Sequence, residues 1–179
     1  MDREYVPAAL IEGRRVCVRV EEHWHVADLR YFDPAGKVAA QAAAILGHAI
    51  PAILSISAGG SLKEPRSLLA WRSPTESLLL CSDTEHMQRL AAPSADGCCV
   101  DQTGGRRIVR IEGTAGADVM ARLGGVALNP PVGAAHGGRL ADVPALSLRL
   151  TEVVLLIAVD RLYLEHLLRS IELTVRDLG

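Results

Sequence analysis

The apolar and polar positions divide the chain into short, turn-punctuated segments. Residues 16–20 are rich in β-formers and read as a strand, extendable through Trp24 and Val26. Asp33 and Pro34 mark a helix start, with Asp33 as cap and Pro34 in the first turn. Val38, Ala42, Ile45 and Leu46 recur at helical spacing, and Gly47 closes that run. Residues 50–56 have extended character broken by Pro51, and 57–65 reads as a loop by composition. Strands at 68–71 and 78–81, with a turn at 73–76, predict a hairpin. Ser82 and Glu85 match a capping box opening a short helix to about Ala91. Residues 92–97 read as a linker, and 1–13 as a mixed, frayed start.

The second half repeats the theme. Strands at 98–101 and 107–111 flank Gly104 and Gly105. Thr114 is the expected cap of a helix carrying Val119, Met120 and Leu123, ended by Gly124 and Gly125. Residues 129–133 form a rigid loop, and 133–138 a loop of small residues around His136. Residues 146–150 alternate like a half-exposed strand, with a turn at Thr151 and Glu152. The run 153–159 is continuously apolar, which predicts a central strand buried on both faces. Asp160 is the expected cap of the last helix, with Leu164, Leu167, Leu168 and Ile171 as its apolar stripe and Glu165–Arg169 as an i,i+4 pair. This order predicts an α+β fold: an antiparallel sheet with helices on one face.

Composition narrows the function. The 179 residues allow one domain or two small ones, and 49% hydrophobic with 22% charged residues is a globular balance. A net charge of −2 leaves no dominant basic face, so neither nucleic acid nor an anionic membrane is an expected partner. No apolar run approaches the ~18 residues of a membrane span. The charged start at Asp2, Arg3 and Glu4 leads into no signal-peptide core, so a cytoplasmic protein is expected. Aromatics, at 3%, are too few for a stacking platform. Cys17, Cys81, Cys98 and Cys99 form no C-x-x-C pair and are expected to stay reduced.

Candidate chemistry is sparse. His23 and His25 would share a strand face and could touch one metal, but no third ligand is visible, so a structural zinc is not expected. The glycine pairs match no phosphate-binding loop, and no nucleophile elbow occurs. His136 could serve as a general base or be merely solvated. Asp101, Thr103, Arg106 and Arg107 gather around one turn, as a clamp for a partner's carboxylate or as a structural turn.

Taken together, several segments resemble the sarcosine oxidase gamma subunit family. Val100-Asp101-Gln102-Thr103-Gly104-Gly105-Arg106-Arg107-Ile108-Val109-Arg110-Ile111-Glu112-Gly113 is similar to that family's D-x-[ST]-x-x-R segment. Ala117 to Leu123, Asn129-Pro130 with Gly133, and Val159-Asp160-Arg161-Leu162-Tyr163-Leu164-Glu165-His166-Leu167 resemble further motifs in the same order. Upstream, Ala27 to Arg30, Leu46 to Pro51 and Leu69 to Leu79 do the same. The chain departs from the pattern at Thr75-Glu76-Ser77, at Val132 and within Ala135-His136-Gly137-Gly138-Arg139-Leu140. The division implied is an N-terminal segment, 1–26, and a gamma-like domain, 27–179, with 27–95 and 98–179 as possible subdomains.

The resemblance implies a fold like the folate-binding aminomethyltransferase domain of the glycine-cleavage T-protein. It further implies a noncatalytic accessory subunit of a multi-subunit flavin-dependent amine oxidase acting on sarcosine or a related N-methyl amino acid. Flavin, NAD and folate would then sit on larger partner subunits, and no catalytic, cofactor or metal residue is expected on this chain. The alternative is a stand-alone folate- or one-carbon-binding, aminomethyltransferase-like protein. The residues expected to meet a partner are Trp71, Arg106, Arg107, Pro130, Pro131, Val132 and His136.

Overall fold

The computed structural model describes residues 11–13, 15–91, 95–124 and 126–178. The continuous apolar run becomes β11 (Val154–Asp160), buried at every position but its last. Its alternate residues serve two cores: Leu155, Ile157 and Val159 face one, and Val154, Leu156 and Ala158 face the other. A strand apolar on both faces needs a covering layer on each. Here one cover is helical and the other is a second sheet.

β11 lies inside a six-stranded sheet, between β8 (Arg106–Glu112) and β10 (Val143–Thr151). β9 (Ala135–Leu140) forms one edge, and β2 (Val16–Glu21) with the short β1 (Ile11–Gly13) the other. A five-stranded sheet packs against it in the order β4 (Ile56–Ser61), β5 (Glu64–Ser73), β6 (Glu76–Cys81), β3 (His25–Tyr31), β7 (Gly97–Asp101). All pairings are antiparallel. Helices α3 (Gly116–Gly124) and α4 (Leu164–Leu178) cover the outer face of the first sheet, and α1 (Lys37–Leu46) and α2 (Thr84–Leu90) that of the second. Each sheet thus carries its helices on one face, as expected. The expectation of a single sheet is corrected: two sheets share an apolar interior of Val26, Leu68, Leu80, Leu148 and Leu156.

The halves of the chain repeat one another. The β4–β5 pairing of Ile56 with Ala70 is matched in β9–β10 by Ala135 with Leu148. The break in the β5–β6 ladder at Trp71/Ser73 is matched in β10–β11 at Arg149/Thr151. First strands are exchanged: β2 pairs with β8 of the second half, and β7 pairs with β3 of the first. The two halves meet where Ser55 bridges its counterpart Ala134.

Several local expectations are corrected. The strand at 16–20 does not run on through Trp24; it ends at Glu21, and His25 starts β3 in the other sheet. Ile11–Gly13, read as frayed, is a paired strand. The loop at 57–65 is instead a hairpin of β4 and β5, whose glycines are tolerated on an edge strand with a bulge at Gly59/Gly60. Likewise the small-residue loop around His136 is the edge strand β9. Asp33 does not cap α1: its carboxylate accepts the Ala35 N–H (2.8 Å) in a turn, and the helix starts after Gly36. Gly47 closes it in the left-handed conformation, φ 76°, as expected. Asp83 caps α2 through the Glu85 N–H, while Ser82 donates to the Arg66 carbonyl. α3 begins only at Gly116, and Asp160 leads into a 3-10 turn, Arg161–Tyr163, with no side-chain cap. The i,i+4 ion pair of α4 is Glu172–Arg176 rather than Glu165–Arg169. The linker residues 92–94, the first ten residues and Gly125 lie outside the described residues.

Candidate partner interface

Two loops meet at the contact between the halves. Ile56 N–H donates to Gly133 O (2.8 Å), and Ala135 N–H to Leu54 O (3.0 Å). Trp71 N–H reaches Ser55 O (3.0 Å) as Arg149 N–H reaches Ala134 O (3.1 Å). Leu54 and Gly133 both have positive φ, 57° and 81°. Glycine takes that conformation freely, whereas a leucine there is strained by roughly 1–2 kcal/mol. Apolar groups on these loops face water: Ile53 is 74% exposed, Leu54 44% and Val132 43%. Pro131 lies exposed beside Val132.

The 129–133 loop is clamped from inside. Arg149, 6% exposed, donates from Nε to Pro130 O (3.1 Å), from Nη1 to Glu152 O (2.8 Å), and to the Asn129 side chain. Burial pulls its guanidinium below the ordinary arginine pKa, with Glu152 opposing. Pro130 is buried, whereas Pro131 and Val132 are exposed. Trp71 is half-buried on β5, at the position Arg149 occupies on β10. His136, on β9, donates from Nδ1 to Ala127 O (3.0 Å).

Arg106 and Arg107 lie elsewhere. Arg106 stands opposite Asp160 at one end of β11, and Arg149 opposite Leu155 at the other. Arg106 turns inward: Nη2 meets Asp28 Oδ2 at 3.4 Å and Nη1 meets Asp160 at 3.8 Å. Asp28, 3% exposed, also binds Arg72 Nη1 (2.8 Å), which pairs in turn with Glu76. This ion network spans both sheets. Arg107 donates from Nη1 to the carbonyls of Thr103 (3.0 Å) and Arg106 (2.8 Å) and lines a cleft of about 490 Å³ with Trp24, Arg161 and Glu165. The structure therefore brings together Pro131, Val132 and the backbone of Trp71, and separates them from Arg106 and Arg107. Sequence reasoning missed Ile53 and Leu54. Their one signal was two large apolar residues following Pro51 in a segment with no strand partner in view.

His23 and His25 do not share a strand face. His23 lies in the connection after β2 with Nδ1 2.9 Å from Glu21, while His25 on β3 bonds Thr84 Oγ1 (2.9 Å). Among the described residues no group of three or more His, Cys, Asp or Glu side chains could hold a metal. The cysteines are unpaired; burial raises the Cys81 thiol and pushes Cys99 to about 11. No described helix is long and apolar enough to cross a membrane.

No family signature matches the chain, and no curated protein sequence does. Among solved structures it is similar to a chain of heterotetrameric sarcosine oxidase from Corynebacterium sp. U-96, solved with pyrrole 2-carboxylate. That similarity has a TM-score of 0.81 at 24% identity and covers 96% of this chain and 89% of that one. A regulatory subunit of aspartate kinase from Thermus thermophilus aligns over 88% of this chain and 96% of its own at 15% identity, with a TM-score of 0.49. The first similarity shows the fold: this α+β architecture is that of a sarcosine oxidase chain, as the motif resemblance implied.

Proposed function

We propose that this chain is a noncatalytic accessory subunit of a multi-subunit, flavin-dependent amine oxidase acting on sarcosine or a related N-methyl amino acid. The observation that carries this reading is the end-to-end fold similarity, 96% of one chain against 89% of the other, to a chain that works inside a heterotetramer. In this reading the exposed apolar residues Ile53, Leu54, Pro131 and Val132, carried on the two loops that meet between the halves, offer a docking surface, as large exposed apolar residues on small proteins do. Strain held at Leu54 is consistent with a surface kept in shape for a partner. Flavin, NAD and folate belong on the larger subunits in this reading, and the chain serves inside the cell that makes the complex.

The test is purification of the tagged chain from its native cells. The expected product is a stoichiometric complex with large subunits, showing flavin absorbance and producing peroxide from sarcosine, while the chain alone is colourless and inactive. A chain that purifies alone, or that binds a folate without any flavoprotein, would reverse the reading in favour of a stand-alone one-carbon-binding protein.

A further inference from the structure

The two halves differ at one edge. β2 carries β1 on its outer side, with Ile11 opposite Val18 and Gly13 opposite Val16. Its counterpart β7 ends the five-stranded sheet, and among the described residues no strand lies beyond it. The ladder to β3 identifies the groups left over. Gln102 N–H donates to Val26 O (2.8 Å) and Phe32 N–H to Asp96 O (3.2 Å). Bonded residues alternate along an antiparallel ladder. Cys98 and Val100 therefore bond inward to β3, and Gly97, Cys99 and Asp101 turn their backbone groups outward.

Native sheets protect such edges with bulges, prolines, lysines or covering segments. The opposite edge, β4, has a bulge at Gly59/Gly60 and is tied to the neighbouring loop through Ile56 and Gly133. Among the described residues β7 has no bulge, no proline, no lysine and no covering strand. Cys98 and Val100 are exposed on it, and Phe32, 78% exposed, stands beside its start.

We propose that β7 is a self-pairing edge, through which two copies of this chain join antiparallel about a two-fold axis at Cys99, making one continuous sheet. The occupant follows from the strand's own residues. This register sets Gly97 opposite Asp101 of the second copy and Cys98 opposite its Val100. The one charged residue then faces a glycine, the exposed apolar side chains face each other, and no like charges meet. Cys99 exchanges both backbone bonds with its own copy, as an isologous contact requires. This inference does not depend on the subunit reading. The contact is small beside a standard interface, so the dimer is weak, with a Kd on the order of micromolar or above.

Sedimentation of the full chain across a range of concentrations tests this, with a reversible monomer–dimer equilibrium as the expected result. Cys99→Pro removes an outward N–H without breaking the β3 ladder, and should weaken dimerisation at least ~10-fold. A thermal melt shows whether that variant still folds. Independently, Cys98 and Val100 of the second copy form a non-bonded pair with Cα atoms ~4.5 Å apart, close enough for a disulfide. Oxidised Val100→Cys chain should yield a covalent dimer linked between positions 98 and 100, lost when Cys98→Ser is added. A chain monomeric throughout, a dimer indifferent to a folded Cys99→Pro variant, or cross-links elsewhere would each overturn the proposal.

Discussion

Asp28 is buried between the sheets with an arginine from each: Arg72 on β5 and Arg106 on β8. Removing one member of a buried ion pair strands the other without compensation, which costs about 3–5 kcal/mol. Asp28→Ala is expected to lower stability by that amount in denaturant unfolding, and a loss below ~1 kcal/mol would show the network to be dispensable. His48 makes a second case. Its Nδ1 lies 3.0 Å from Ser57 Oγ and its Nε2 2.9 Å from Ser67 Oγ, and burial lowers its pKa below the ordinary 6.5, with a hydrogen bond at Ala49 opposing. The unfolded chain therefore takes up this proton first. The contribution is present above about pH 6.5 and is lost as the pH falls through that value towards the folded pKa. The fall in Tm between about pH 7.5 and about pH 5.5 should shrink in His48→Gln; an equal fall in both proteins counts against His48 as a source. Neither role was legible in the sequence, because Asp28 and His48 sit in ordinary strand and helix-end contexts and gain their partners from distant segments.

At the scale of elements, the exchanged strands are anchored by glycines that nothing larger can replace. Gly97, at φ 152°, stands opposite Tyr31, and a Cβ there would lie 2.2 Å from Arg30 O. Gly113, at φ 136°, closes the matching β2–β8 ladder, with a Cβ position 2.2 Å from Arg15 O. Gly97→Ala and Gly113→Ala should each cost at least ~2 kcal/mol, combining backbone strain with a clash, whereas Gly104→Ala, with nothing near its Cβ position, should cost far less. Comparable melting of all three variants would contradict this account. Element types were largely readable: β11, β6 and α4 follow from apolar runs and a helical stripe, and α2 from the capping signal before it, although Asp83 rather than Ser82 is the cap. Composition reads the glycine-rich edge strands β4 and β9 as loops. Composition marks glycine as a turn former, and only the neighbouring strand shows that its backbone is paired.

For the whole molecule, the meeting of the halves sets the surface offered to a partner. Ile53→Asp with Val132→Asp places charges on exposed apolar positions that belong to none of the three buried clusters. The double variant should keep its Tm within a few degrees and lose at least ~10-fold in affinity for the large subunits, measured by co-purification and titration. Full retention of binding would move the docking face elsewhere. Trp71→Ala is a poorer probe, because Trp71 is half-buried and its backbone joins the 50–55 loop.

The sequence by itself determined the α+β class, the central place of β11 and the resemblance to a sarcosine oxidase chain. Periodicity, caps and ordered motifs are properties of local segments and survive in one dimension. The tertiary structure alone decided that there are two sheets, that β2 and β7 are exchanged, and that the loop of Ile53 and Leu54 meets the loop of Pro131 and Val132. An antiparallel pattern specifies which side of a strand is apolar, but not which sheet will cover it. That choice is made by pairings between residues far apart in the chain, such as Val18 with Ile111 and Asp28 with Val100, for which no single segment carries a signal.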